Sequence, residues 1–236
     1  MRPIVLFDLD DTLIDYSAGT EGSWSEACAA VGAPAGLDPD ALSRAVLEAR
    51  RWFWDDPIRH RTERVDMLGA WTKIAARALE DLGAPGAPLA AALAEDYSTR
   101  RTSAHYLYPD AIDTLARLRA SGARLAMVTN GDKRFQREKI ERFALAPYFE
   151  AIVIEGEFGV GKPDASVYRH VLAALGVAPR AAIMVGDHLD NDVAGAQAVG
   201  IHGVWLDRGG LGLPAGCGVR PDRIIAALTD LDRAAG

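Results

Sequence analysis

The sequence predicts an α/β fold: a parallel sheet core sandwiched by helices, with an all-helical domain inserted after the first strand. Three observations carry that prediction. An apolar run, Ile4-Val5-Leu6-Phe7, ends abruptly in the acidic stretch Asp8-Leu9-Asp10-Asp11. From residue 108 onward, short apolar runs alternate with helical segments, as parallel strands joined by crossover helices require. Between the two, from about Tyr16 to Tyr97, amphipathic stretches follow one another with no strand-like alternation. The expected division is therefore 1–15 with 106–236 as the α/β core and 16–105 as the helical insertion.

Each element has its own justification. Four consecutive apolar residues read as a strand buried on both faces, as in the middle of a parallel sheet. Side chains alternate along a strand, so Asp8 and Asp10 are expected to leave it on one side. In the insertion, Gly32-Ala33-Pro34 and Gly83-Ala84-Pro85-Gly86 are breaks, and the clearest helix runs from Val65 to Leu82. Its apolar positions Leu68, Trp71, Ala75, Ala78 and Leu82 recur at helical spacing. A helix from Pro109-Asp110 to about Ala120 stops at Gly122. Then come a strand over 124–129, a helix over 133–143, a strand over 151–154 and a helix over 164–175 closed by Gly176. A strand over 182–185, a helix over 190–199 stopped by Gly200 and a strand over 203–206 complete the alternation. A Gly/Pro-rich loop over 208–220 leads to a last short strand or turn near Ile224-Ile225 and a C-terminal helix.

The 236 residues are 49% apolar and 25% charged, with a formal charge of −7, which argues against a nucleic-acid or membrane-surface binder. Cys28 and Cys217 read as two reduced thiols of a cytoplasmic protein. The chain enters its first strand almost at once, leaving no room for a signal peptide, and no apolar run approaches the roughly 20 residues of a membrane span. The expectation is a monomer or homodimer with no nucleic-acid or membrane partner.

Two carboxylates at one strand end repel each other and resist burial, and a cation or a reacting phosphate is the usual reason to tolerate them. Open parallel sheets place their sites beyond the C-terminal ends of the strands. Three later strands also lead into polar residues. Thr129-Asn130-Gly131 offers a hydroxyl, an amide and backbone N–H groups suited to phosphate oxygens. Lys162 sits in the turn Gly159-Val160-Gly161-Lys162-Pro163-Asp164, in a chain with four lysines and 22 arginines. Gly186-Asp187 is followed by Asp190-Asn191-Asp192 leading into a helix. Asp11 and Asp190 read as loop and helix caps, Asp15 as a residue at the hinge, and His188 as an ordinary loop histidine. Trp24, Trp52, Trp54 and Trp71 read as core of the insertion.

This constellation resembles the haloacid dehalogenase-like superfamily. The resemblance runs through Asp8-Leu9-Asp10-Asp11-Thr12, Thr129, Lys162 in Gly-Lys-Pro-Asp, and Gly186-Asp187 with Asp192, in order and on the expected elements. It implies a Rossmann-like core with the insertion as its cap. It implies Asp8 as nucleophile and Asp10 as acid and base. Mg²⁺ would be held by Asp8, the backbone carbonyl of Asp10 and Asp187. Lys162 would supply fixed charge beside Asp8, and Thr129 with the backbone N–H of Asn130 would bind phosphoryl oxygens. Asp192 would orient metal waters or Lys162.

The stretch from Thr129 to Ile140, with Gln136 and Lys139, is similar to the branch holding pyrimidine nucleotidases and N-acylneuraminate 9-phosphatase. That similarity implies a Mg²⁺-dependent phosphomonoesterase acting on a small phosphorylated metabolite, a nucleotide or a sugar phosphate. A sugar phosphomutase, a 2-haloacid dehalogenase and a non-catalytic binding protein are the alternatives. Asp10 favours an oxygen leaving group over halide, and a retired site predicts a broken motif where none is broken. A phosphonate hydrolase would need a cap lysine, and Lys73 lies off its helix's apolar stripe. Arg50, Arg51, Arg59, His60, Arg61 and Arg64 crowd one segment of the insertion. Arg51, Arg61 and Arg64 are candidates to bind a second anionic group of the substrate, against the plainer reading of a solvated helix face.

Overall fold

The structure, a computed structural model, describes residues 4–84 and 86–232. β1 (Ile4–Phe7) opens the chain, and β2 (Ile14–Asp15) follows the acidic loop. Five helices come next: α1 (Thr20–Ala27), α2 (Pro39–Trp54), α3 (Pro57–Glu63), α4 (Met67–Asp81) and α5 (Ala87–Ala104). β3 (Tyr106–Leu107) then pairs antiparallel with β2, Asp15 opposite Tyr106. Strands and helices alternate thereafter: α6 (Ala111–Ala120), β4 (Arg124–Thr129), α7 (Lys133–Arg142), β5 (Ala151–Ile154), α8 (Glu155–Phe158), α9 (Ala165–Leu175) and β6 (Ala182–Gly186). A helical segment, Leu189–Ala194, runs into α10 (Gly195–Gln197), and β7 (His202–Leu206) and β8 (Arg223–Ile225) follow. The chain forms two compact units, one up to Tyr16 and from Tyr106 onward, the other Ser17–His105.

In the first unit a six-stranded sheet has the order β5-β4-β1-β6-β7-β8, with every pairing parallel. The chain builds outward from β1 through β4 to β5, then crosses back to place β6 on the other side of β1. That reversal creates the crevice beyond the strand ends where open α/β sheets hold their ligands. The apolar run of β1 is explained by its place. Val5 and Phe7 pack with Leu125, Met127 and Val185 on one face, and Ile4 and Leu6 with Ala126, Val128 and Met184 on the other. Helix α6 covers the first face through Leu115, and α9 the second through Val167 and Val171. Each such side chain contributes about 1.5–3 kcal/mol by burial.

The second unit is all helical, and its aromatic centre is Tyr97. Trp24 stacks on it at 3.8 Å and Trp71 meets it edge-on at 5.0 Å. Trp24 and Trp71 are core as expected, whereas Trp52 is 48% exposed with the Arg59 guanidinium 3.9 Å above its ring. Helix α4 starts at Met67 rather than Val65 because the Asp66 carboxylate caps it, accepting from the Gly69 N–H. It ends at Asp81, so Leu82 lies past its buried stripe and is exposed. Lys73 is exposed and pairs with Glu63.

Other features also differ from the sequence expectation. The ribbon of β2 and β3 and the single-turn α8 are too short to leave a periodic signal. The expected C-terminal helix is a 3-10 turn over Leu228–Asp232, and 233–236 lie outside the described residues. The helix after β6 is capped by His188, not Asp190: the His188 Nδ1 accepts from the Asp190 and Asn191 N–H groups at 3.2 and 3.3 Å. Cys28 and Cys217 are both free thiols. Among the described residues no helix is long and apolar enough to cross a membrane.

Helix α7 begins at an Asp132 cap, whose carboxylate accepts from the Arg134 and Phe135 N–H groups. Asp132→Ala is expected to lower stability by about 1 kcal/mol, read from the midpoint of denaturant unfolding.

Candidate active site

Beyond Phe7 the chain leaves strand geometry. The Asp8 N–H still donates to the Val185 carbonyl at 3.0 Å, but Leu13 and Ile14 then fold back to donate to the Leu9 carbonyl. Asp11 closes the turn in the left-handed region, at φ 57°, and its carboxylate accepts from the Tyr16 N–H at 3.0 Å. The two carboxylates meet different partners. Asp8 Oδ1 accepts from Lys162 Nζ at 2.6 Å and Oδ2 from the Thr12 hydroxyl at 3.2 Å. Asp10 accepts from Lys139 Nζ on both oxygens, at 2.5 and 2.7 Å, and from Gln136 Nε2 at 3.0 Å.

Lys162 is 2% exposed and holds two acids at once, Asp8 and Asp192, each at 2.6 Å. Its backbone is fixed by the Asn130 side chain, which donates to the Lys162 carbonyl at 2.8 Å and accepts its N–H at 2.7 Å. The neighbouring Gly131 N–H donates to the buried Glu155 at 2.9 Å, joining the ends of β4 and β5. Thr129 is buried, and its hydroxyl accepts from Gln136 Nε2 at 2.6 Å. Asp192 also accepts the His188 N–H at 3.0 Å. Asp187 shares the Thr12 hydroxyl with Asp8, at 3.4 Å, and Trp205 Nε1 donates to its carbonyl at 2.7 Å.

The carboxylates of Asp8, Asp187 and Asp192 offer oxygens within 4.8 Å of one another. Burial pushes Asp8 upward against the pull of Lys162, and the Asp192 and Asp10 charges add to the rise. Burial also raises Asp187, reinforced by Asp8 and Asp192. Burial works against the Lys162 charge, but Asp192 and Asp8 outweigh it and hold the ammonium above its ordinary range. Three acids around one buried ammonium leave a local excess of negative charge. An all-oxygen donor set with that excess fits a hard divalent cation such as Mg²⁺.

The crowding is tight at Gly186, where a Cβ would lie 2.2 Å from the Asp192 carboxylate carbon. Gly186→Ala should push Asp192 off Lys162 and lower the stability by about 1–3 kcal/mol, measured by thermal unfolding.

Of the residues singled out in the sequence, Asp8, Thr129, Asn130, Lys162, Asp187 and Asp192 come together beyond β1, β4 and β6. Asp10 is tied to them through Gln136. Arg51, Arg61 and Arg64 belong to the helical unit, Arg51 and Arg61 exposed and Arg64 half-buried. Thr12, Gln136 and Lys139 were not singled out as site residues. Gln136, Lys139 and Ile140 form the buried stripe of α7 at spacings of three and four, so a lysine on the apolar face of a polar helix was the available signal.

Carboxylates and a buried lysine at the crevice of a doubly wound sheet define an α/β enzyme site. The chain belongs to the haloacid dehalogenase-like hydrolase family, whose model matches residues 3–200. It is similar to the phosphoserine phosphatase of Thermus thermophilus, 36% identical over 229 residues that cover 87% of this chain and 89% of that protein. It is also similar to the N-acylneuraminate-9-phosphatase of Rattus norvegicus, 39% identical over 46% of this chain and 44% of that one. Among solved structures, a 2-haloacid dehalogenase from Pseudomonas syringae superposes with a TM-score of 0.71 at 28% identity, covering 99% of this chain and 97% of the other.

Proposed function

We propose that the protein is a Mg²⁺-dependent phosphomonoesterase that releases phosphate from a small metabolite, a nucleotide or a sugar phosphate, through an aspartyl-phosphate on Asp8. The observation that carries the reading is the buried Lys162 paired at 2.6 Å with Asp8. It fixes one oxygen of a carboxylate whose other oxygen accepts from the Thr12 hydroxyl at 3.2 Å, as suits a nucleophile. Asp8 attacks phosphorus while Asp10 gives a proton to the departing ester oxygen. Asp10 then takes a proton from the water that cleaves the acyl phosphate. Thr129 and the backbone N–H of Asn130 hold phosphoryl oxygens, and Lys162 offsets their charge. Asp192 holds Lys162 in place.

The Asp8 and Asp187 carboxylates with the Asp10 carbonyl would hold Mg²⁺, which when bound offsets repulsion between the acids and an anionic phosphate. We read Ser17–His105 as the cap domain. The overall charge of −7 supports a small soluble partner over nucleic acid or a membrane.

The test is phosphate release from a panel of nucleoside monophosphates, sugar phosphates and phosphoserine, with Mg²⁺ and with EDTA. Release that needs Mg²⁺ supports the reading. Halide release from 2-haloacids without phosphate release overturns it. Mg²⁺ alone is expected to raise the thermal unfolding temperature, since a ligand at 100 times its Kd adds about 2.7 kcal/mol.

A further inference from the structure

We infer that Lys139 and Gln136 are positioning residues that aim the carboxylate of Asp10, so that α7 sets the proton-transfer geometry of the site. The inference rests on the phosphomonoesterase reading and adds two residues to it. Asp10 lies in the loop between β1 and β2, with a single bridge to Ile14 on its backbone. Its side chain is 24% exposed and lies outside the strand ladder of the sheet.

What fixes it is a clamp of two donor groups making three contacts. Lys139 Nζ reaches both oxygens, at 2.5 and 2.7 Å, and Gln136 Nε2 reaches Oδ2 at 3.0 Å. A carboxylate has about four lone-pair directions, so the clamp leaves about one open, on Oδ1. That direction is where a proton can be exchanged with an ester oxygen or a water. The two N–H groups of the Gln136 amide are shared between Asp10 and, at 2.6 and 2.8 Å, the Thr129 hydroxyl and the Asn130 carbonyl. One side chain thus ties the proposed proton carrier to the proposed phosphate-binding strand end.

The clamp is costly to build. Lys139 is 4% exposed, with the Tyr16 ring 4.4 Å from its ammonium. Burying an ammonium is repaid only by good pairing, and a leucine would fill the same stripe of α7 at no such cost. The capped start at Asp132 holds both donors in register. In the reaction the ester P–O bond breaks as the Asp8–phosphorus bond forms, and the Asp10 proton passes to the ester oxygen, which leaves as an alcohol. A good leaving group departs without that proton.

The experiment compares kcat/KM for p-nitrophenyl phosphate, a good leaving group, with that for an alkyl phosphate such as phosphoserine. Lys139→Met and Gln136→Ala are measured beside Asp10→Asn, with thermal unfolding to establish folding. For Lys139→Met a fall of about 100-fold or more is expected on the alkyl ester, within the range of acid catalysis, and only a few-fold on the aryl ester. Gln136→Ala should show the same asymmetry at smaller size, which keeps the test decisive if Lys139→Met does not fold. Lys139→Arg should recover part of the alkyl activity. Equal losses on both esters, or none, overturn the inference. Asymmetry in Asp10→Asn without asymmetry in the clamp variants overturns this inference alone. A wild type that releases phosphate from neither ester overturns the phosphatase reading and the clamp's role together.

Discussion

Asp8→Asn is expected to abolish phosphate release, by at least about 10³-fold, while leaving the protein as stable as the wild type or more so. The two halves of that result have one cause. Asp8 is held among Asp192, Asp187 and Asp10 with burial opposing its charge. An amide keeps an oxygen for Lys162 and offers N–H to the Thr12 hydroxyl, so the contacts survive while one repelling charge disappears. It cannot form the acyl phosphate.

The pH dependence follows with a definite sign. Asp8 and Asp187 are both raised in the folded protein, so the folded state binds more protons than the unfolded one above the ordinary carboxylate value of about 4. Their contribution to stability is present below that pH and is lost as the pH rises toward neutrality. In EDTA the wild-type unfolding temperature should fall over that window, and Asp8→Asn should flatten the fall. A wild-type curve that rises instead would show the acids to be stabilised as charges.

Lys162→Met is expected to do the opposite to stability. It removes the one cation that Asp8 and Asp192 share. Both acids are left buried without compensation, and breaking such a pair costs about 3–5 kcal/mol. The variant should unfold at a markedly lower denaturant concentration than the wild type and lose turnover as well. Mg²⁺ should restore part of the stability but not the activity. If Lys162→Met were as stable as Asp8→Asn, the electrostatic account of the site would be wrong.

The sheet was legible because β1, β4 and β6 lie between neighbours with both faces covered, and the middle of such a strand has to be apolar on both faces, as Leu125-Ala126-Met127-Val128 is. The motif residues were legible for the complementary reason: polar groups directly after such strands stand out. What was not legible depends on distant pairing. Nothing near Asp10 in the chain shows that Lys139 meets it, 129 positions away. Alternation alone did not describe the way Asp10 is held: the strand ends at Phe7 and backbone bonds to the Leu9 carbonyl turn the chain beyond it, while the Asp10 charge still acts on Asp8. His188 displaced Asp190 as the cap because an imidazole Nδ1 accepts backbone N–H groups as a carboxylate does, a use that propensities underweight. The start of α4 moved for a similar local reason, the cap at Asp66.

The short ribbon of β2 and β3 has a consequence for how such a protein diversifies. Asp15 and Tyr106 stand opposite each other, joined also by a 2.6 Å bond from the Tyr106 hydroxyl to the Asp15 carboxylate. Directly opposed residues of an antiparallel pair lie about 5 Å apart, a gap that a two-residue turn can close. The 89 residues of Ser17–His105 therefore leave and re-enter the α/β unit through a single doorway. Whatever is threaded through that doorway can be lengthened, shortened or exchanged as a cassette, and the strand ends and loop that carry Asp8, Asp187 and Lys162 are not asked to move.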